Sequence, residues 1–233
     1  MKKLKIYIGY DSKEDIAYRV CKYSLLKRSS INLKVYSLKL QELIARKFYS
    51  RSIDPLASTE FTYSRFLVPA LSSYQGWAIF CDCDFIFLED ISKILENLDY
   101  SKAVYCVKHD YTPTEKHKMD GQKQTVYPRK NWSSFILFNC EHPSNKNLSV
   151  DTVNSQTGSY LHQFKWLKNE EIGALDERWN WLEGWTSKNN SNKPYAIHYT
   201  RGGPWFDEWQ DVEFAKEWIQ ERDKYLEDKF NSI

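Results

Sequence analysis

Two carboxylates one residue apart, Asp82 and Asp84, follow the apolar run Trp77-Ala78-Ile79-Phe80-Cys81. Carboxylate oxygens form a hard donor set, and Mg²⁺ or Mn²⁺ characteristically takes one or two of them together with phosphate oxygens of a substrate. The chemistry on offer is a cation that bridges the chain to a diphosphate. The position supports this, because open α/β sheets place their ligand crevice at the carboxyl ends of strands. With strand geometry continued through the pair, both aspartates share one face while Cys81 and Cys83 take the other. The competing reading is a capping or solvated acidic turn, since Asp-x-Asp alone is a common pattern. A thiolate site at Cys81-x-Cys83 lacks a second pair at zinc-like spacing, so these cysteines read as packing.

A second candidate lies near the C-terminus, where His198 ends the apolar stretch Tyr195-Ala196-Ile197 and precedes Tyr199-Thr200-Arg201-Gly202-Gly203-Pro204-Trp205. An imidazole beside a glycine turn completes a metal shell, glycines permit close backbone approach to a phosphate, and Arg201 offers it a charged partner. Taken alone, a strand-end histidine is as well explained by structure.

The elements that must position these residues follow from periodicity. Residues 4–10 read as a strand, 14–26 as a helix with Ile16, Ala17, Val20, Cys21, Ser24 and Leu25 at helical spacing, and 33–38 as a second strand. Residues 59–71 read as a helix opened by a Ser/Thr cap and disturbed at Pro69. The run 77–81 is the continuous apolar pattern of a strand buried on both faces. A short helix over 91–98 and strands over 103–108 and 133–139 complete an α/β domain with an open, mostly parallel sheet. The polar stretches 110–130 and 184–194 read as long connections, and a loop of that length is functional or mobile. We expect the first of them to close over the ligand. From 207 to 230, Trp209, Val212, Ala215, Trp218, Ile219, Tyr225 and Leu226 trace one face of a terminal amphipathic helix docked on the core. A membrane-surface role for that helix is the alternative.

In order and spacing, Ile8-Gly9-Tyr10-Asp11, Ser64-Arg65-Phe66-Leu67-Val68-Pro69, Gly76 to Asp84, Trp132-Ser133-Ser134 with Phe138-Asn139, and His198 to Trp205 resemble the GT-A nucleotide-sugar glycosyltransferases, specifically the glycogenin-like group of family eight. The resemblance implies a GT-A domain over residues 1–206, with 207–233 a helical extension packed on it. It further implies a UDP-sugar donor and a divalent cation, Mn²⁺ or Mg²⁺, held by Asp82, Asp84 and His198. The donor would lie against Gly9, Tyr10, Asp11, Arg65, Asp82, Cys83, Ser133, Ser134, Arg201 and Gly202. Trp179, Asn180 and Trp205 would line the acceptor, a glycan, a lipid-linked species or a protein, and Asp176 is the candidate catalytic carboxylate. The group retains anomeric configuration. This sequence departs at Gly203-Pro204-Trp205, which lacks the lysine the group typically places before Pro-Trp, and Arg201 is the candidate replacement.

Composition narrows the alternatives. The chain has 233 residues, with 42% hydrophobic and 27% charged, which is the balance of a folded globular protein. Thirty-three basic residues against 31 acidic leave a formal +2, too little to draw the whole surface to nucleic acid. No run approaches the roughly 20 apolar residues of a membrane span, and the first residues are too short and polar for a secretory signal. Five cysteines, odd in number, argue against a disulfide framework and fit a reducing cytoplasm. Aromatic residues make up 16% of the chain, serving sugar stacking or simple packing. Two further readings stand beside the transferase. One is a haloacid-dehalogenase-like phosphatase, whose Asp-x-Asp normally lies near the N-terminus rather than after 81 residues. The other is a non-catalytic sugar-binding module, which leaves the strand-end carboxylates unexplained.

Overall fold

Three apolar runs of the sequence become the middle of one sheet. The computed structural model describes residues 3–52, 54, 57–110, 128–186 and 192–231. The chain runs through strand β1 (Leu4–Gly9), helix α1 (Asp15–Arg28), β2 (Leu33–Leu38), α2 (Leu40–Ala45), α3 (Val68–Leu71), β3 (Trp77–Cys81), β4 (Phe85–Phe87) and β5 (Val104–Cys106). It continues through β6 (Phe135–Asn139), α4 (Val150–Ser155), α5 (Gly158–His162), β7 (Ile172–Ala174), β8 (Trp181–Leu182), β9 (Ala196–His198) and α6 (Ala215–Phe230). Among the described residues, a six-stranded sheet has the order β2-β1-β3-β6-β5-β7 and a three-stranded sheet the order β4-β9-β8.

In the large sheet β1 is parallel to β2 and β3, and β5 is parallel to β7, while β6 runs antiparallel to both of its neighbours. The sheet is thus α/β and mostly parallel, as expected. Ala78, Ile79, Phe80 and Cys81 of β3 are buried, as is every residue of β6. Each large apolar side chain taken from water there contributes roughly 1.5–3 kcal/mol. Helix α1 forms because Ala17, Val20, Cys21, Ser24 and Leu25 recur on one face, and that face is its buried one. A smaller core of Val20, Ile86, Ile197, Tyr199 and Trp218 sits between α1, the small sheet and α6.

The helix expected over 59–71 is not continuous. Thr59 and Thr62 bond each other at the start, a 3-10 turn covers Ser64–Leu67, and Pro69 lies in the first turn of α3, where its missing N–H costs nothing. The short helix expected over 91–98 is a 3-10 turn, Ile91–Leu95. The strand expected from 133 starts at Phe135, because Trp132–Ser134 form a 3-10 turn after Asn131, which is left-handed at φ 63°. The terminal helix starts at Ala215 rather than 207, since Phe214 at φ 62° breaks the path and its carbonyl accepts from the Tyr199 hydroxyl at 2.8 Å. Residues 207–209 make a separate 3-10 turn. Of the two long connections, 111–127 and 187–191 lie outside the described residues. Among the described residues no helix is long and apolar enough to cross a membrane.

Candidate metal and donor site

Strand β3 delivers Asp82 to the carboxyl edge of the large sheet, and a bend at Cys83 and Asp84 hands the chain to β4 of the small sheet. The aspartates converge as the alternation argument requires although the strand stops at Cys81. Cys81 and Cys83 are buried behind them, and burial pushes both thiols well up in pKa. Two backbone bonds pin the pair: Asp82 N–H donates to Ser134 O at 2.9 Å, and Tyr199 N–H to Asp84 O at 3.0 Å. Antiparallel pairing of β4 with β9 sets Phe85 opposite His198. The phenyl ring stacks on the imidazole at 4.4 Å and 15°.

Asp82, Asp84 and His198 each offer a ligand atom, and these atoms lie within 4.8 Å of one another. Asp84 Oδ1 is buried without a hydrogen-bond partner, 3.4 Å from His198 Nε2. A buried carboxylate oxygen facing an imidazole nitrogen suits a divalent cation, and two carboxylates with one imidazole make a mixed oxygen and nitrogen donor set. Arg65 closes the other side. Its Nη1 lies 2.8 Å from Asp82 Oδ1 and donates to Ser133 O at 2.9 Å. The guanidinium is held 5.2 and 4.9 Å over Phe61 and Phe80.

The remaining residues expected at the donor site fall into two groups. Asp11 is buried and caps the turn before α1, accepting from Lys13 N and Glu60 N at 3.0 and 3.1 Å. Gly9 lets Phe61 approach so closely that a Cβ would meet the ring at 2.6 Å. Ser133 Oγ bonds His162 Nδ1 at 2.8 Å, and Ser134 Oγ donates to Asn131 O at 2.7 Å. These residues gather around the aspartates. Tyr10 instead turns its hydroxyl to Asp15 at 3.0 Å. Arg201 is held by buried Glu183 at 2.9 Å and borders a polar cavity of about 560 Å³ that none of Asp82, Asp84 and His198 lines. Gly202 donates to Tyr199 O at 2.8 Å in the turn beside it.

Of the residues expected at the acceptor, Trp179 is buried against Tyr195 and Trp205 packs on Tyr199 and Trp218. Asn180 is fully buried, its Oδ1 2.9 Å from His198 Nδ1 and its Nδ2 donating to Ser134 Oγ at 2.9 Å. Asp176 caps the 3-10 turn Glu177–Asn180 and pairs with Arg178 at 2.6 Å. That guanidinium holds the Asp176 carboxyl below the usual range.

Two titratable groups here were not read from the sequence. The Glu14 carboxyl takes a hydrogen bond from Cys83 Sγ at 3.6 Å, and burial with repulsion from Asp84 and Asp11 pushes it up to about 8. His109 is pushed down to about 3 by burial and by His198 nearby. Glu14 reads in sequence as an ordinary first-turn acid, and His109 as a polar residue at the edge of a loop. Only the fold brings them to the aspartates.

No family model matches the chain. Protein CDI of Arabidopsis thaliana is 52% identical over 227 residues, covering 96% of this chain and 88% of that protein. Among solved structures, the apo bifunctional glycosyltransferase WbbM superposes with a TM-score of 0.66 at 16% identity, over 94% of this chain. Apo GlyE of Streptococcus pneumoniae TIGR4 gives 0.61 at 14% over 100%. The galactosyltransferase LgtC, in complex with donor and acceptor sugar analogs, gives 0.59 at 10% over 95% of this chain and 96% of its own. The chain spans 49% of the WbbM chain and 64% of GlyE. At these identities the likeness is one of fold, and the fold is that of the GT-A glycosyltransferases.

Proposed function

The chain belongs to the family of the Arabidopsis Protein CDI, and we propose that it is a metal-dependent glycosyltransferase of the glycogenin-like kind, moving a sugar from a UDP-sugar to an acceptor hydroxyl. The observation that carries this reading is the convergence of Asp82, Asp84 and His198 at the carboxyl edge of a GT-A sheet.

In this reading Asp82, Asp84 and His198 hold Mn²⁺ or Mg²⁺. When bound, the cation supplies Lewis-acid stabilisation of the charge that grows on a departing diphosphate. The chain's own residues do the rest. Arg65, itself buried, keeps Asp82 in place through an ion pair, so the carboxylate presents its oxygens in one orientation. Asp11 and Gly9 shape the end of β1, where the uridine would rest, and Phe61 packs directly against Gly9. Ser133 and Ser134 border the sugar. The phenyl ring of Phe85, stacked on the imidazole at 4.4 Å, keeps water from one face of His198. Asp176 lies at the surface of the same edge region, paired with Arg178, and is the carboxylate we assign to the acceptor side. We propose that configuration is retained, and an NMR spectrum of the product anomer decides it. The five free, buried cysteines support a reducing, cytoplasmic setting.

The test is a thermal-shift series with nucleotides and Mn²⁺, because a ligand that binds only the native state raises its melting temperature. UDP with Mn²⁺ gives the largest shift, and Asp84→Ala removes it. An equal shift from UDP without metal, unchanged in Asp84→Ala, contradicts the proposal.

A further inference from the structure

His198 is flanked by two acceptors. On one side Asn180 Oδ1 lies 2.9 Å from Nδ1, and on the other Asp84 Oδ1 lies 3.4 Å from Nε2. A neutral imidazole has a single N–H to divide between them, and the nitrogen left bare is the one able to ligate a cation. Which acceptor wins therefore decides whether the ring is a ligand or merely a hydrogen-bond donor to Asp84.

The orientation of the Asn180 amide settles the choice. Its other end faces Ser134 Oγ at 2.9 Å and the carbonyl oxygen of Asn131 at 3.4 Å. A carbonyl oxygen only accepts, and the Ser134 hydroxyl already donates its proton to that same carbonyl at 2.7 Å. Both therefore require an N–H from Asn180, so Nδ2 points to them and Oδ1 is left facing the imidazole. With an oxygen at 2.9 Å, Nδ1 must carry the proton and Nε2 is bare. Asn180 is fully buried and lies at the end of a 3-10 turn that leads into β8. It has neither the water nor the freedom to turn over.

We propose that Asn180 is a positioning residue that locks His198 in the Nδ1–H tautomer and aims the Nε2 lone pair at the space shared with Asp82 and Asp84. The network is continuous with the aspartates, because Ser134, which fixes the amide, also accepts from the backbone N–H of Asp82. Partners of this kind, holding the far nitrogen of a ligating histidine, typically carry roughly 10–100-fold in metal affinity. The consequence for affinity rests on the metal reading above, whereas the tautomer does not.

The experiment is a long-range ¹H–¹⁵N correlation spectrum of the full chain labelled at histidine nitrogens, metal-free at neutral pH, with His198 assigned by its loss in His198→Gln. The expected result is a protonated Nδ1 and a bare Nε2. An Nε2–H tautomer or a doubly protonated ring in the wild type overturns the proposal without reference to any variant. Manganese titration then compares Asn180→Leu, which removes the acceptor, with Asn180→Asp, which keeps one, both checked for a wild-type circular dichroism spectrum. Asn180→Leu binds Mn²⁺ roughly 10–100-fold more weakly and Asn180→Asp recovers most of the loss. Equal affinity in wild type and Asn180→Leu overturns the positioning role. If the wild-type tautomer is as stated but UDP with Mn²⁺ gives no thermal shift, the transferase reading fails and the tautomer lock stands.

Discussion

Two polar regions are reached by His198 and Arg201, three residues apart in sequence, and they treat charge in opposite ways. In the cavity of about 560 Å³, buried Glu183 is answered by Arg201 at 2.9 Å and by the backbone N–H of Glu213 at 3.1 Å. At the strand edge, Asp82, Asp84 and Glu14 crowd together with Arg65 as their counter-charge, and Asp84 Oδ1 is buried without a hydrogen bond. The lesson is that volume and polarity do not mark a site. Unresolved like charge does, because a fold keeps repelling carboxylates together only at a cost, and a bound cation removes that cost.

The contrast breaks most sharply at Asp84. Asp84→Ala removes one of the converging ligand atoms, and sugar transfer falls by about 10²–10³-fold, read as product formed per unit time with Mn²⁺ present. A loss of less than tenfold places the chemistry elsewhere.

Arg65 and Arg201 then separate the two regions by what each removal does. Arg65→Met strands a half-buried Asp82 next to Asp84, so the metal-free protein loses about 3 kcal/mol in urea unfolding. Added Mn²⁺ restores part of that loss by supplying the missing positive charge. Arg201→Gln strands Glu183 and costs a similar amount, about 3 kcal/mol, but Mn²⁺ neither restores it nor binds more weakly. Restoration by Mn²⁺ in both variants would erase the distinction.

The smallest effect is on pH dependence. Glu14 sits at about 8 in the native state, above the ordinary glutamate range it takes when unfolded. Between those values the native chain holds a proton that the unfolded chain has released, so metal-free stability falls as pH rises from about 4.5 towards 8. Glu14→Gln flattens that slope in melts taken across the range. A slope unchanged by Glu14→Gln removes Glu14 from the crowd of acids.

Much of this was legible in the chain before folding. The runs at 4–10, 33–38 and 77–81 are apolar or alternating enough to be strands, and they became β1, β2 and β3 within a residue. The aspartates announced themselves by following such a run. Other features have no local signal. Strands β4, β7 and β8 are three, three and two residues long, too short for any period to register, and they exist because neighbours offer them hydrogen bonds. Helix α2 gives no periodic signal, being six residues with a single buried side chain, Leu43. Arg201 looked like a phosphate partner because it stands beside glycines, whereas its actual counter-charge, Glu183, lies 18 residues away in sequence. The family resemblance puts Asn180 at the acceptor, and only the register of β8 on β9 brings it against His198.

The most direct test of the central claim is a crystal soaked with UDP and MnCl₂, with anomalous diffraction collected at the manganese edge. We expect one strong anomalous peak ligated by Asp82, Asp84 and His198 Nε2, with pyrophosphate oxygens completing its shell. A peak bound elsewhere, or a nucleotide seated away from those three side chains with none between them, contradicts the account.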